Sequence, residues 1–224
     1  MTKQAPAEHF VFDAFGTLFD VHSVAREHGG VLGPNWPRLS EVWRNKQLEY
    51  TWIHAGLNQH IPFRDITAQS LVYALRVTGL DETIAPRLLE NYQRLAAFPE
   101  VETVLRALKA RGAKLAILSN GDVDVLGGIV ANANLQDVFD AVISVQAAGT
   151  FKPVPRVYAL AAQAFDLAPA DISFLSSNRW DIAGASSFGF QTIWVNRAGN
   201  PDEYPHYPAG RILSDLTPLT GAPY

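Results

Sequence analysis

Short apolar runs alternate with helix-length amphipathic segments along most of this chain, and few folds satisfy that alternation. The runs fall at residues 10–13, 114–118, 141–145, 172–175 and 192–195, with 211–213 as a sixth. They read as buried strands, because the apolar positions run on without a polar face. Residues 101–111 carry Val104, Leu105 and Leu108 on one face and stop at Gly112, and residues 156–165 carry Val157, Leu160 and Ala161. This repetition predicts an α/β fold, with a Rossmann-like parallel sheet covered on both faces and right-handed crossovers.

The repetition breaks once: after the first strand, about 75 residues show no strand pattern. They read as helices over 37–56, 65–77 and 81–97, punctuated by Gly29-Gly30, Gly33-Pro34, Gly56 and Gly79, with Asp81 as an N-cap. The expected organisation is a core domain of residues 1–20 and 99–224, interrupted by a helical cap subdomain at 21–98, with Pro99 marking the return. In the helix from Pro37, Leu39, Val42, Trp43, Tyr50, Ile53 and Leu57 fall on one side, and Arg44, Leu48 and Trp52 on the other. One face suits the cap's own core. The second, with a single arginine among apolar neighbours, suits the roof of a closed cleft, although Arg44 snorkelling across Leu48 to water fits the spacing equally.

Of the 224 residues, 48% are hydrophobic and 18% charged, which allows a sizeable core and gives no sign of disorder. No stretch is apolar for the roughly 18 residues of a membrane-crossing helix. The residues before Phe10 include no apolar segment of the kind a secretory signal needs, so a cytoplasmic location is expected. A net charge of −4, with scattered basic residues, leaves no footprint for nucleic acid or anionic membrane and favours small-molecule partners. The lack of cysteine excludes disulfides, a thiolate nucleophile and Cys-ligated metal, and the six histidines form no HExxH-type pair.

In open parallel sheets, ligands bind beyond the carboxyl ends of the strands. The first strand ends at Asp13, with Thr17 in the turn that follows; the second runs into Ser119-Asn120-Gly121-Asp122. After the third comes Gly149-Thr150-Phe151-Lys152-Pro153, and after the fourth Ser176-Ser177-Asn178, with Asp181 opening the next helix. Taken singly, each has an ordinary structural role: Asp13 in a turn, Ser119 and Asp181 as N-caps, Lys152 as a solvated lysine. Taken together, they suit a carboxylate nucleophile. Asp13 attacks an electrophile, Lys152 keeps it ionised, Thr17 and backbone N–H groups orient it, and Asp181 is left as the base for a water that releases the ester.

Asp-Ala-Phe-Gly-Thr-Leu-Phe-Asp from Asp13, Leu-Ser-Asn-Gly-Asp from Leu118, Phe-Lys-Pro from Phe151 and Ser-Ser-Asn-Arg-Trp-Asp from Ser176 resemble the four motifs of the haloacid dehalogenase superfamily. Trp43-Arg44 in the cap segment, with Ser176-Ser177-Asn178, narrows the likeness to the L-2-haloacid dehalogenases. The resemblance implies metal-independent hydrolysis of short (S)-2-haloalkanoic acids to (R)-2-hydroxy acids through an ester on Asp13, with no cofactor. Haloacid and halide are the implied small-molecule partners, and homodimers are common among such enzymes. It further implies catalytic roles for Asp13, Thr17, Arg44, Ser119, Lys152, Tyr158, Ser176, Asn178 and Asp181, with Arg44 and Asn178 receiving the halide. Ala14, Phe15, Arg44, Asn45, Leu48, Phe63, Ser119, Asn120 and Trp180 are the implied pocket. Tyr158 is equally at home in an ordinary core; the pocket aromatics and Leu48 are of types more often found in a core, and their place in the pocket rests on the resemblance.

Phe15 separates the branches of the superfamily. Phosphatases that resemble this chain carry a second aspartate at that place, as acid for an alkoxide leaving group, and bind Mg²⁺ through the nucleophile and acids after strand four. A halide needs no proton, and Asp181 is the one acid in that region. Phe15 and Asn45 also depart from the tyrosine and glutamine commoner in the family. A Mg²⁺-dependent phosphatase with an atypical first motif, and a binding module without chemistry, are the alternatives.

Overall fold

In a computed structural model that describes residues 8–221, β1 (His9–Phe12) ends one residue short of Asp13. The chain turns out of the sheet at Gly16, whose φ of 86° is open to glycine without steric penalty. It then forms α1 (Ser23–Glu27), α2 (Gly29–Leu32), α3 (Trp36–Gly56), α4 (Phe63–Thr78) and α5 (Ala85–Tyr92). From α6 (Val101–Ala110) onward, strands and helices alternate: β2 (Lys114–Ser119), α7 (Val123–Asn132), β3 (Ala141–Ser144), α8 (Pro155–Phe165), β4 (Ser173–Ser176), α9 (Arg179–Phe188), β5 (Gln191–Val195) and β6 (Arg211–Leu213).

The six strands form one sheet in the order β3-β2-β1-β4-β5-β6, every pair parallel, as the alternation predicts. β1 lies between β2 and β4, and the strand order reverses there, so connections diverge and leave a crevice at its carboxyl end. Asp13 stands at that point. The central strands are buried, with Phe12, Ile117, Leu118, Phe174 and Leu175 inaccessible to solvent. β3 differs from the buried strand expected at 141–145: it is a sheet edge, and Val142 is 37% exposed.

The segment between β1 and α6 departs from its sequence pattern in two places. The buried row of α3 runs Leu39, Trp43, Gln47, Thr51, one residue per turn, and continues through two polar side chains. Ile53, about 200° around the helix from Thr51, is therefore 50% exposed, and Leu57 is 61% exposed, contrary to the apolar face expected of them. The helix expected at 81–97 is also shorter. Asp81 does cap, accepting the Thr83 N–H at 2.9 Å, but over a 3₁₀ turn, and Pro86 is confined to the first turn of α5.

Beyond Tyr92 the chain straightens to return to the sheet. Asp20 N donates to Ala96 O at 2.8 Å and Phe98 N to Leu18 O at 3.0 Å, so the outgoing and incoming strands of chain lie side by side. Among the described residues, no helix is long and apolar enough to cross a membrane.

Candidate active site

The parallel ladder fixes the backbone of Asp13, whose N–H donates to Leu175 O on β4 at 2.8 Å. The carboxylate, only 5% exposed, has two unlike oxygens. Oδ2 accepts from Asn178 Nδ2 at 2.8 Å, Thr17 Oγ1 at 2.9 Å and Ser176 Oγ at 3.3 Å. Oδ1 accepts from Lys152 Nζ at 3.1 Å. The donors are themselves held. Thr17 Oγ1 accepts the Ser177 N–H at 2.8 Å, and Ser176 Oγ accepts the Asn178 N–H at 3.1 Å.

Lys152 is fully buried, which removes the solvated-lysine reading. Its backbone N–H donates to Asn120 Oδ1 at 3.0 Å, and its ammonium lies 2.8 Å from Asp181 Oδ2 as well as reaching Asp13. Burial pulls this ammonium down, but Asp13 and Asp181 together outweigh it and hold Lys152 above its ordinary value. Asp181 receives a second donor, Tyr158 OH, at 2.7 Å on Oδ1. Burial raises the Asp181 carboxyl and the Asp13 charge adds to it; Lys152 opposes both, and the result is about 6.

Tyr158 packs against Phe174, Phe188 and Phe190 while its hydroxyl holds Asp181, so it serves the core and the site at once. Gly184 makes room for it, since a Cβ there would collide with the phenol oxygen. Burial and the Asp181 charge push the Tyr158 hydroxyl well above its ordinary value, so it stays a donor.

Arg44 descends from α3 rather than snorkelling outward. Nη2 donates to Phe15 O and Asn178 Oδ1, each at 3.2 Å, and Nη1 donates to Gln47 Oε1 at 3.1 Å. Phe15 is buried with its ring 5.3 Å from Phe63 and 5.8 Å from Tyr92. A Cβ at position 121 would lie 2.7 Å from the Phe15 ring, so Gly121 is part of the same fit.

Asp122 has a role that its place after β2 does not reveal. Buried at the start of α7, it accepts the N–H groups of Phe63 at 3.1 Å and Arg64 at 2.8 Å, and the Arg64 side chain at 3.3 Å. It thereby caps α4, whose own N-cap position is Pro62 with no side-chain cap. No sequence spacing links Asp122 to a helix so far away; only the fold brings them together.

The remaining residues are placed less uniformly. Ser119 is buried, and its Oγ accepts from Gly121 N at 3.1 Å rather than bonding Asp13. The N-cap positions of α7 and α9 are Asp122 and Asn178, not Ser119 and Asp181. Ala14 is buried, Leu48 and Trp180 are half-buried, and Asn45 is exposed. Asn45, Leu48 and Trp180 border a cavity of about 600 Å³ together with Arg44 and Asn178; Asp13 is not in its wall.

Residues 7–189 match the family model of the haloacid dehalogenase-like hydrolases. (S)-2-haloacid dehalogenase 1 of Pseudomonas sp. strain CBS-3 is 41% identical over 216 residues, which cover 96% of this chain and 95% of that one. The chain belongs to the haloacid dehalogenase-like hydrolases, within the (S)-2-haloacid dehalogenase family. A family member from Pseudomonas sp. strain YL is 46% identical over 191 residues, 84% of this chain and 82% of its own. The L-2-haloacid dehalogenase of Xanthobacter autotrophicus, solved with chloropropionic acid covalently bound, aligns with a TM-score of 0.85 and 35% identity, over 96% of this chain and 97% of that one.

In this haloacid dehalogenase-like hydrolase, the donor set does not fit the Mg²⁺ site of the superfamily's phosphatases. Mg²⁺ requires several oxygen ligands in octahedral array. Here the Lys152 ammonium stands between Asp13 and Asp181, and Ser176 and Asn178 are neutral side chains already bonded to Asp13.

Proposed function

We propose that the chain hydrolyses short (S)-2-haloalkanoic acids to (R)-2-hydroxy acids through an ester on Asp13, without metal or organic cofactor. One observation carries the reading: three donors occupy Asp13 Oδ2, while Oδ1 is held by Lys152. Oδ1 is thus the attacking oxygen. Its lone pair forms the bond to C2 from the face opposite the halogen, the carbon–halogen pair leaves as halide, and no proton moves. That suits a site with Phe15 where a phosphatase has its acid.

The unlike oxygens matter again in the second step. A water attacks Cγ of the ester and passes its proton to Asp181; the negative charge then develops on Oδ2, where Thr17, Ser176 and Asn178 already point. Collapse expels the 2-hydroxy acid as alkoxide, which takes the proton back from Asp181; the water's oxygen stays on Asp13, which gives up the water's second proton to solvent and is again a carboxylate. Arg44 and Asn178 receive the halide, Ser119 has its hydroxyl proton free for the substrate carboxylate, and Tyr158 orients Asp181. Residues 21–98 act as the cap over this site. The same reading has the enzyme cytoplasmic and a homodimer; exposed Ile53, Leu57 and Val77 support an association surface.

Halide-release assays on both enantiomers of 2-chloropropionate test the reading. The (S) enantiomer should be turned over and the (R) enantiomer not, and EDTA should change nothing. The acid limb of kcat should fall below pH 6: Asp181 must be ionised to accept the water's proton, and esterification of Asp13 removes a charge that helps raise the Asp181 carboxyl to about 6 in the free enzyme. Phosphate release from phosphomonoesters that stops with EDTA would favour the phosphatase instead.

A further inference from the structure

We propose that Gln47 is a positioning residue that aims Arg44 at the departing halide while leaving its charge uncompensated; the proposal rests on the dehalogenase reading above. Gln47 lies on α3, one turn beyond Arg44, and is 1% exposed. Its Oε1 accepts from Arg44 Nη1 at 3.1 Å and from Tyr92 OH at 3.1 Å, and its Nε2 donates to Thr67 Oγ1 at 2.7 Å.

The hydrogen bonds fix which way the amide faces. Thr67 has one hydroxyl proton and gives it to Phe63 O at 2.9 Å, a carbonyl that can only accept. Thr67 must therefore accept from Gln47, so the amide nitrogen faces Thr67 and the oxygen faces Arg44. Arg44 cannot accept, which demands the same orientation. Trp43 Nε1 donates to Thr67 O at 2.9 Å and secures the other end of the arrangement.

Every acceptor this geometry gives Arg44 is uncharged: the Gln47 amide, the Phe15 carbonyl and the Asn178 amide. A carboxylate in place of Gln47 would hold the guanidinium equally well but would neutralise it. With neutral acceptors the side chain is fixed in direction and keeps its full charge for the anion that forms when the carbon–halogen bond breaks. Such a preset charge favours the transition state over the bound substrate, which carries no charge on its halogen. Gln47 makes no hydrogen bond to Asp13, and of its three partners Arg44 is the one that carries charge to the site.

Two near-isosteric variants test this. Gln47→Glu keeps both hydrogen bonds at the oxygen, gives up the one to Thr67 and adds the neutralising charge; Gln47→Met removes all three and leaves Arg44 charged but held at Nη2 alone, by Phe15 O and Asn178 Oδ1. Single-turnover halide release should be compared for (S)-2-chloro- and (S)-2-bromopropionate. Chloride is the poorer leaving group and depends more on Arg44. Both variants should slow chloride release more than bromide release, Gln47→Glu by about 100-fold for chloride, the range seen on loss of one preset electrostatic donor.

Equal slowing of the two halides, or no slowing, overturns the proposal and leaves Gln47 a core residue. If Gln47→Glu fails to fold, the chloride-to-bromide ratio of Gln47→Met decides alone, read beside its thermal melt. A wild-type protein that releases neither halide overturns instead the dehalogenase reading on which the proposal stands.

Discussion

Asp13→Asn abolishes halide release, lowering it by roughly 10⁴-fold or more, the scale of loss when a covalent nucleophile is removed. The substitution is isosteric, so the effect is chemical. An amide lacks the charged oxygen that displaces halide, and no neighbour replaces it: Asp181 is tied to Lys152 and Tyr158. The fold should still form. Removing one of two buried carboxylates that share one ammonium relieves a like-charge contact, while the amide nitrogen turns an acceptor of Lys152 or of the Oδ2 donors into a donor, so the two effects oppose and the thermal melt should move little. Halide release with an ion-selective electrode, read beside the melt, separates lost chemistry from lost structure.

Lys152→Met should damage both. The variant keeps the volume but leaves Asp13 and Asp181 buried without their cation, and breaking a buried pair in this way costs about 3–5 kcal/mol. Activity should fall by roughly 10³-fold or more, comparable with loss of another member of a catalytic set. Lys152 is the main influence holding Asp181 down, so without it the carboxyl rises further and is protonated at neutral pH, unable to act as base. The sign of the pH dependence follows. Carboxyls whose folded pKa stands above the unfolded value bind protons on folding, so stability declines as pH rises from the unfolded towards the folded pKa. Urea unfolding should therefore find the Lys152→Met protein more stable near pH 5 than near pH 8. Equal stability at both, with wild-type activity, would mean the lysine is not the counterion of the pair.

Much of this arrangement is legible in the amino-acid sequence, for reasons tied to particular residues. Strands that are apolar throughout, separated by amphipathic helices, leave a parallel sheet as the economical solution, and ligands gather at its carboxyl edge. That rule alone groups Asp13, Lys152, Ser176 and Asp181, whose side chains do meet. The helical segment is harder to read, because hydrophobic periodicity marks a buried stripe only when the stripe is apolar. In α3 the buried row passes through Gln47 and Thr51, and the apolar Ile53, like Leu57 just beyond the helix, faces water. Asp122 escapes for a different reason. Its partners, the N–H groups of Phe63 and Arg64, lie on a helix that only the closed fold brings near, and no local pattern marks a cap supplied from so far away.

The central claim is that Asp13 itself, rather than water, displaces the halide. A single turnover of (S)-2-chloropropionate in H₂¹⁸O, with enzyme in excess, followed by mass spectrometry of lactate and of the peptide containing Asp13, tests it directly. Unlabelled lactate and one ¹⁸O on Asp13 are the expected result. Label in the lactate of that first turnover, with Asp13 unlabelled, would contradict the claim and make Asp13 a base for an attacking water.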